Sequence, residues 1–533
     1  MLKNIILILF SSLVLVACKK TPDVKGRYFG TLTINGTAQQ VVTEVPDFKE
    51  HGEYQVLEFS LYETKASANP NHVIVQASSD FIAIKSSFLG ADDYKLGALK
   101  DSCGSGEKDN TLATLCFQSE KIDFTLKEKT SGNTTLTLSL VRSADLPAPT
   151  INGTYSIDDL VGRAKFNAYA VSQEAERVFQ ARQKVKMAIA NLLPHFNMKD
   201  LLAFSGGPMG GIQAIGSFVP FIFPSNWYKM AEVKELSRAQ QKSFASLRGN
   251  EMQYVENFVY LVQRDLLLKN LMQDELVKQR EVHRIIAKKE QYGQLPPKSA
   301  DKYYSTVLMI EQDLVQLGSL IDFELSSLAH AVALPATTGI SVLEAVPVPD
   351  LSKIPQIDYK SLIETAKTKS FEVKTLEFLV EASKKNTKAT VWGFLDPNSS
   401  DYIGFSLASQ LNVGESQVRT LESKRDETLS LIEQRVFIGA SEYNATLTSF
   451  NIATTGVVTS KSRLDRLAKR LKSGDEKVDD EYFVQEIAEA TQSLLKFSAN
   501  QLSAAHSYMI SRSKLNRLVL EGYYKDLELT KPE

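Results

Sequence analysis

Apolar and polar positions keep two different rhythms along this chain, and the change falls near residue 150. Over residues 25–142 the period is two. Tyr28–Ile34 runs into Asn35-Gly36, a hairpin signal, because both residues tolerate the positive φ of a tight two-residue turn. Further strands are predicted over Tyr54–Tyr62, His72–Gln76, Phe81–Phe88, Leu115–Phe117, Ile122–Lys127 and Thr134–Val141. In the last, Leu136, Leu138 and Leu140 fall on one face and Thr135, Thr137 and Ser139 on the other. About seven or eight short strands with polar turns predict an antiparallel sandwich or small barrel. Beyond residue 150 the pattern is helical and prolines punctuate it: Pro149 to Pro194, Pro224 to Pro296 and Pro397 to Pro532 enclose proline-free stretches. Val255, Val259, Val262 and Leu266 recur at spacings of four, three and four, a coiled-coil face. As one helix, Asn226–Gln291 would reach about 100 Å at 1.5 Å per residue.

The helical part also repeats. Each half opens with a helix, Ile157–Leu193 and Asp358–Asn386, followed by a non-helical insert, Pro194–Ser225 and Thr387–Asn412. A very long helix comes next, Asn226–Gln291 and Val413–Leu471. Each long helix breaks at a glycine, Gly293 or Gly474, and the chain returns on a helix with an acid and a Tyr near its start. The segment between the repeats, Pro335 to Pro355, is rich in Pro and small residues.

The amino terminus carries Lys3, an apolar run from Ile5 to Val16, and Leu15-Val16-Ala17-Cys18. The run is long enough for a secretory signal and short for a spanning helix. The end resembles a bacterial lipobox, which implies diacylation of Cys18; a plain signal peptide with an incidental Cys is the other reading. Lys19 in place of Asp points to the outer membrane. Cys103 and Cys116 then remain, flanking a Gly/Ser/Asp-rich turn at Gly104–Asn110. In an oxidising compartment they form a disulfide, or else stay as two buried thiols.

Composition excludes several classes. The 533 residues are 43% hydrophobic and 23% charged, which is globular. Lys+Arg of 61 against Asp+Glu of 63 gives a net charge of −2, and no excess invites nucleic acid. Three Cys and six scattered His offer no metal set, and no cofactor is expected. Gly206-Gly207-Pro208-Met209-Gly210-Gly211 lacks the Lys-Ser/Thr of a phosphate loop and reads as a hairpin turn. No nucleophile, base and orienter stand together, so an enzyme is not expected.

Several stretches of residues 155–525 resemble a TolC-type outer-membrane efflux factor. Tyr155-Ser156-Ile157-Asp158-Asp159-Leu160 is similar to the family's opening helix, and Asn191-Leu192-Leu193-Pro194 to the step into the first barrel hairpin. Ser416-Gln417-Val418 is similar to the start of the second long helix, and Tyr508–Leu518 to the closing helix. The resemblance implies a mainly α fold: a TolC-like body of long coiled-coil helices with two β-hairpin inserts, here behind an extra β domain. Three copies would build a 12-strand barrel in the outer membrane above a periplasmic tunnel. The expected partners are two further copies, outer-membrane lipid, a periplasmic adaptor and an inner-membrane pump.

The domains expected are a signal peptide (1–17), a lipidated linker (18–24), a β domain (25–142), a linker (143–150), repeat one (151–334), an inter-repeat linker (335–355), repeat two (356–526) and a tail (527–533). Tyr402–Leu411 alternates as a membrane strand, with Ile403, Phe405, Leu407 and Leu411 facing lipid. Its partner is Thr390–Leu395; Phe196–Phe204 and Ile212–Phe223 would supply the other hairpin. Asp480, with Asp479 beside it, matches a family acidic ring that gates the tunnel, and Phe483 stands one turn on as an aromatic constriction. A solvated charged turn is the other reading of those acids. Gly293 and Gly474 mark the tips where an adaptor would dock. The function expected is a passive exit duct for an efflux or type I secretion system. The alternative is a non-conducting, envelope-spanning scaffold or binding lipoprotein with reduced hairpins.

Overall fold

A computed structural model describes residues 24–52, 54–63, 71–78, 81–86, 89, 94–97, 102–108, 110–118, 120–129, 134–143, 153–193, 220–336, 340, 342–393, 395, 405–473 and 481–528. The chain folds as two units. One holds the residues up to Asn167 together with Ser172–Phe179, and the other holds Ala168–Val171 and Gln180–Glu528.

The first unit is an eleven-stranded antiparallel sheet: β1 (Gly26–Ile34), β2 (Thr37–Val45), β3 (Lys49–His51), β4 (Tyr54–Glu63), β5 (Asn71–Ala77), β6 (Phe81–Ser86), β7 (Tyr94–Gly97), β8 (Cys103–Lys108), β9 (Thr111–Gln118), β10 (Lys121–Glu128) and β11 (Thr134–Arg142). Its order is β7-β6-β5-β4-β2-β1-β11-β10-β9-β8, with β3 paired to β4. Asn35 (φ 48°) and Gly36 (φ 84°) make the β1–β2 turn with both central residues left-handed. Leu32, Phe117, Phe124, Leu136, Leu138 and Leu140 all point into one core.

The two ends of the order, β7 and β8, lie against each other and nearly close a barrel. Here the sequence reading is corrected: Gly104–Lys108 is strand, not turn. Its glycines serve close approach, since a Cβ on Gly106 would meet the Lys95 carbonyl. Cys103 stands directly opposite Cys116 across the β8–β9 ladder, with the Cα atoms 4.1 Å apart, and the two are joined as a disulfide.

Helix α1 (Ile157–Asn167) packs on β5 and β6 within this unit. Ser156 and Asp159 form its capping box, with Ser156 N donating to Asp159 Oδ2 at 3.0 Å and Asp159 N to Ser156 Oγ at 3.2 Å. The opening helix predicted as continuous over Ile157–Leu193 is broken at Ala168 (φ −54°, ψ 140°), and α2 runs over Tyr169–Ala190. At the end of α1, the Tyr54 hydroxyl donates to the Phe166 carbonyl at 3.2 Å. Arg163 pairs with Glu58, which also accepts from Asn167 Nδ2 at 2.8 Å.

The second unit is built on α3 (Pro224–Gln291, 68 residues) and α7 (Phe405–Ser473, 69 residues). Between and after them come α4 (Ser299–Ala331), α5 (Lys360–Lys369), α6 (Phe371–Gly393) and α8 (Glu481–Val519). Helix α3 packs along α4 and α6, α7 along α6 and α8, and α3 meets α8. Val255, Val259 and Val262 are fully buried, as the coiled-coil spacing predicts. The repeat is visible in the lengths. The 11 and 22 residues of α1 and α2 match the 10 and 23 of α5 and α6, with the second break at Ser370 (φ −53°, ψ 125°).

Candidate functional site

Apart from the cysteines, the described residues that the sequence singles out lie toward the ends of the long helices. At one end α3 turns into α4 through Gly293, whose φ of +70° suits glycine. Gly293 N donates to the Glu290 carbonyl at 3.0 Å and Gln294 N to the Lys289 carbonyl at 2.8 Å, closing α3. The Glu290 carboxylate accepts from Ala300 N at 2.7 Å and Lys298 N at 2.6 Å, starting α4. Those two amides hold its carboxyl below the usual range. Gly474, Asp479 and Asp480, at the matching end of α7 and α8, lie outside the described residues.

Phe483, expected one turn on as an aromatic constriction, is instead 4% exposed in this chain, in a core with Leu467, Leu471 and Ile487. The Arg470 guanidinium lies 5.2 Å from its ring centroid. The exposed aromatics at these ends are Tyr292 (77%) and Tyr482 (72%).

At the opposite end, α6 stops at Gly393 and α7 begins at Phe405. Phe405, Leu407 and Leu411, expected as lipid-facing positions of a strand, therefore lie in the first turns of α7; Ile403 is outside the described residues. Phe405–Asn412 contains neither Gly nor Pro and joins the long helix without a break, so its short apolar alternation was ambiguous between the two periods. Thr390–Gly393, expected in the partner strand, ends α6. Phe196–Phe204 and Ile212–Val219 lie outside the described residues, and Pro220–Ile222 is a 3-10 turn, not strand.

Three buried polar junctions between helices escaped sequence reading. Glu256 on α3 accepts from Ser513 Oγ at 2.6 Å, Tyr524 Oη at 2.5 Å and Tyr260 Oη at 2.9 Å; burial still raises its carboxyl. Gln279 joins Glu275, Tyr303 and Thr491. Arg264 holds Asp265 through two bonds of 2.6 and 3.0 Å, and Glu324 on α4 faces that pair. Burial, then the Asp265 charge, push the Glu324 carboxyl up to about 7. The signal available was a carboxylate on a stripe of valines: Glu256 follows Val255, and Asp265 follows Val262 by three.

Among the described residues no group of His, Cys, Asp and Glu could hold a metal, and no helix is long and apolar enough to cross a membrane.

No family model matches the chain, and no curated protein matches it. Solved structures do. The outer membrane protein VceC of Vibrio cholerae superposes with TM-score 0.54 at 11% identity, over 69% of this chain and 96% of that one. The MtrE outer membrane channel of Neisseria gonorrhoeae, in its open state, gives TM-score 0.53 at 11% identity, over 70% and 90%. The CmeC outer membrane channel of Campylobacter jejuni gives TM-score 0.56 at 10% identity, over 68% and 85%. Over about two thirds of its length, then, this chain has the fold of TolC-type outer-membrane channels.

Proposed function

We propose that this protein is an outer-membrane exit duct, built from three copies, through which cargo leaves the cell passively. Cys18 would carry the lipid anchor, and an adaptor would meet the ends of the helices near Gly293 and Gly474. There Tyr292 and Tyr482 offer exposed aromatic anchors. An inner-membrane pump would supply the energy. Asp479 and Asp480 would ring the tunnel mouth and favour cations.

The observation that carries this reading is the doubled helical body with bare apolar side chains along it. Val315 is 74% exposed and Phe323 67% on α4, and Ile452 is 63% and Val458 65% on α7. Water would meet these side chains in a lone chain, whereas neighbouring copies would cover them.

The second reading, a non-conducting scaffold, would rest on the length of the second insert. Only eleven residues, 394–404, separate α6 from α7. A hairpin with two crossings needs two strands of about 9–11 residues. One hairpin per copy would give six strands in a trimer, fewer than the roughly eight of the smallest membrane barrels.

Planar-bilayer recording on purified full-length protein decides between them. Stepwise conductance that falls with Asp480→Asn in cation selectivity supports the duct. Intact trimers that never conduct overturn it in favour of the scaffold.

A further inference from the structure

We infer that a groove between the second half of α6 and residues 415–419 of α7 seats the phosphate headgroup of an anionic membrane lipid. The groove has a volume of about 360 Å³ and is lined by four cations, Lys384, Lys385, Lys388 and Arg419. Two carboxylates, Glu381 and Glu415, offset part of that charge. Lys384 Nζ lies 3.2 Å from Glu381, and Arg419 lies 3.6 Å from Glu415. Lys385 and Lys388 make no ion pair or hydrogen bond with any described residue. Two ammonium groups thus line a concave surface without an ion-pair partner, and the four cations outnumber the two carboxylates there, which is the complement of a phosphodiester. Val391 and Val418 complete the groove with apolar surface suited to the start of an acyl chain.

A second observation places that groove at a bilayer. The chain has only two Trp, and each stands beside one of the two inserts. Trp392 is 40% exposed at the end of α6, and Trp227 is 49% exposed in the first turn of α3. Exposed Trp at the ends of membrane-facing elements settles at headgroup level, with its ring amphipathic. Val391 and Leu395 beside Trp392 are exposed as well. Lys388 is one turn back from Trp392, about 6 Å along the axis at 1.5 Å per residue. Long lysine side chains span that distance and turn their charge toward the headgroups. The aromatic level and the cationic groove therefore fit one interface, apolar contact above and phosphate contact just beneath. The inference rests on the reading that the insert-bearing end faces the outer membrane, and it holds for a duct and for a scaffold alike.

The test uses full-length protein carrying Trp227→Phe, so that Trp392 is the sole indole reporter. Mixed micelles containing phosphatidylglycerol or phosphatidylcholine are titrated while Trp392 emission is followed. Phosphatidylglycerol is expected to shift the emission to the blue at about tenfold lower lipid than phosphatidylcholine. The double substitution Lys385→Gln, Lys388→Gln should erase that preference while helix content and assembly stay unchanged. Equal curves for the two lipids, or a preference that survives the double substitution, overturn the inference. Competition by inorganic phosphate at the concentration at which phosphatidylglycerol saturates would mark a free-anion site and overturn the lipid assignment. Bilayer conductance of the same preparations separates the two claims. A lipid preference without conductance keeps this site and removes the duct; conductance without the preference keeps the duct and removes this site.

Discussion

Helices α1 and α5 hold equivalent places in the two repeats, yet their surroundings differ. Both are short, 11 and 10 residues, and both end at a single extended residue before a longer helix. Helix α1 buries Asp159, Arg163, Lys165 and Asn167 against a β sheet. Burial draws the Arg163 guanidinium down to about 9 and raises the Asp159 carboxyl. Helix α5 buries only Ala366 and packs on α7 and α8. The lesson is that the sheet-rich unit has taken over the first element of the first repeat. It holds that element by buried charge and hydrogen bond, where the second repeat uses half-exposed lysines: Lys367 pairs with Glu433 at 2.9 Å and Lys369 Nζ donates to the Val519 carbonyl at 3.2 Å.

The comparison breaks most sharply at Glu58. Glu58→Ala leaves Arg163 buried without its partner, and losing one member of a buried pair costs about 3–5 kcal/mol. Hydrogen exchange should then show α1 and β4 opening together while α5 keeps its protection. Next in size is the disulfide. Cys103→Ser removes a link across a sequence separation of 13, and a loop of this length contributes about 3 kcal/mol. Melting of the sheet should fall by that amount and the helical unit should be unmoved.

Third is Glu324, on the helical side. Its folded carboxyl sits near 7, above the unfolded value of about 4.3, so the folded state binds the extra proton between those limits. Stability of the helical unit should therefore be greatest below that window and fall as pH rises through it. Glu324→Gln should flatten the dependence and recover on the order of 2 kcal/mol at pH 8, read by denaturant melts across pH. The smallest effect is at the second break. Ser370 Oγ accepts from Val373 N at 3.2 Å and caps α6. Ser370→Ala should cost about 1 kcal/mol and fray only the start of α6.

Much of this was legible in the residues. The Asn35-Gly36 turn, the clean alternation of Leu136 to Leu140, and the valine spacing of α3 each follow from one local rule. The doubled layout also survives, down to matched helix lengths. What was not legible depends on contacts distant in sequence. The break at Ala168 is set where Tyr54, more than a hundred residues earlier, takes the Phe166 carbonyl. The helix over Phe405–Leu411 and the burial of Phe483 were misread because a short apolar run fits either period, and because which side of a helix faces its neighbour depends on the neighbour. Glu256, Asp265 and Glu324 look like ordinary surface acids until three helices close around them.

The seam between β7 and β8 has a consequence for how this protein is made. An open sheet edge is a template for another chain, and β8 is held at that edge partly by the covalent tie from Cys103 to Cys116. A chain synthesised where thiols stay reduced would keep a loose, glycine-rich ribbon at its margin, free to recruit its siblings. If the chain is exported as proposed, oxidation outside the cytoplasm would act as a clasp that shuts the margin.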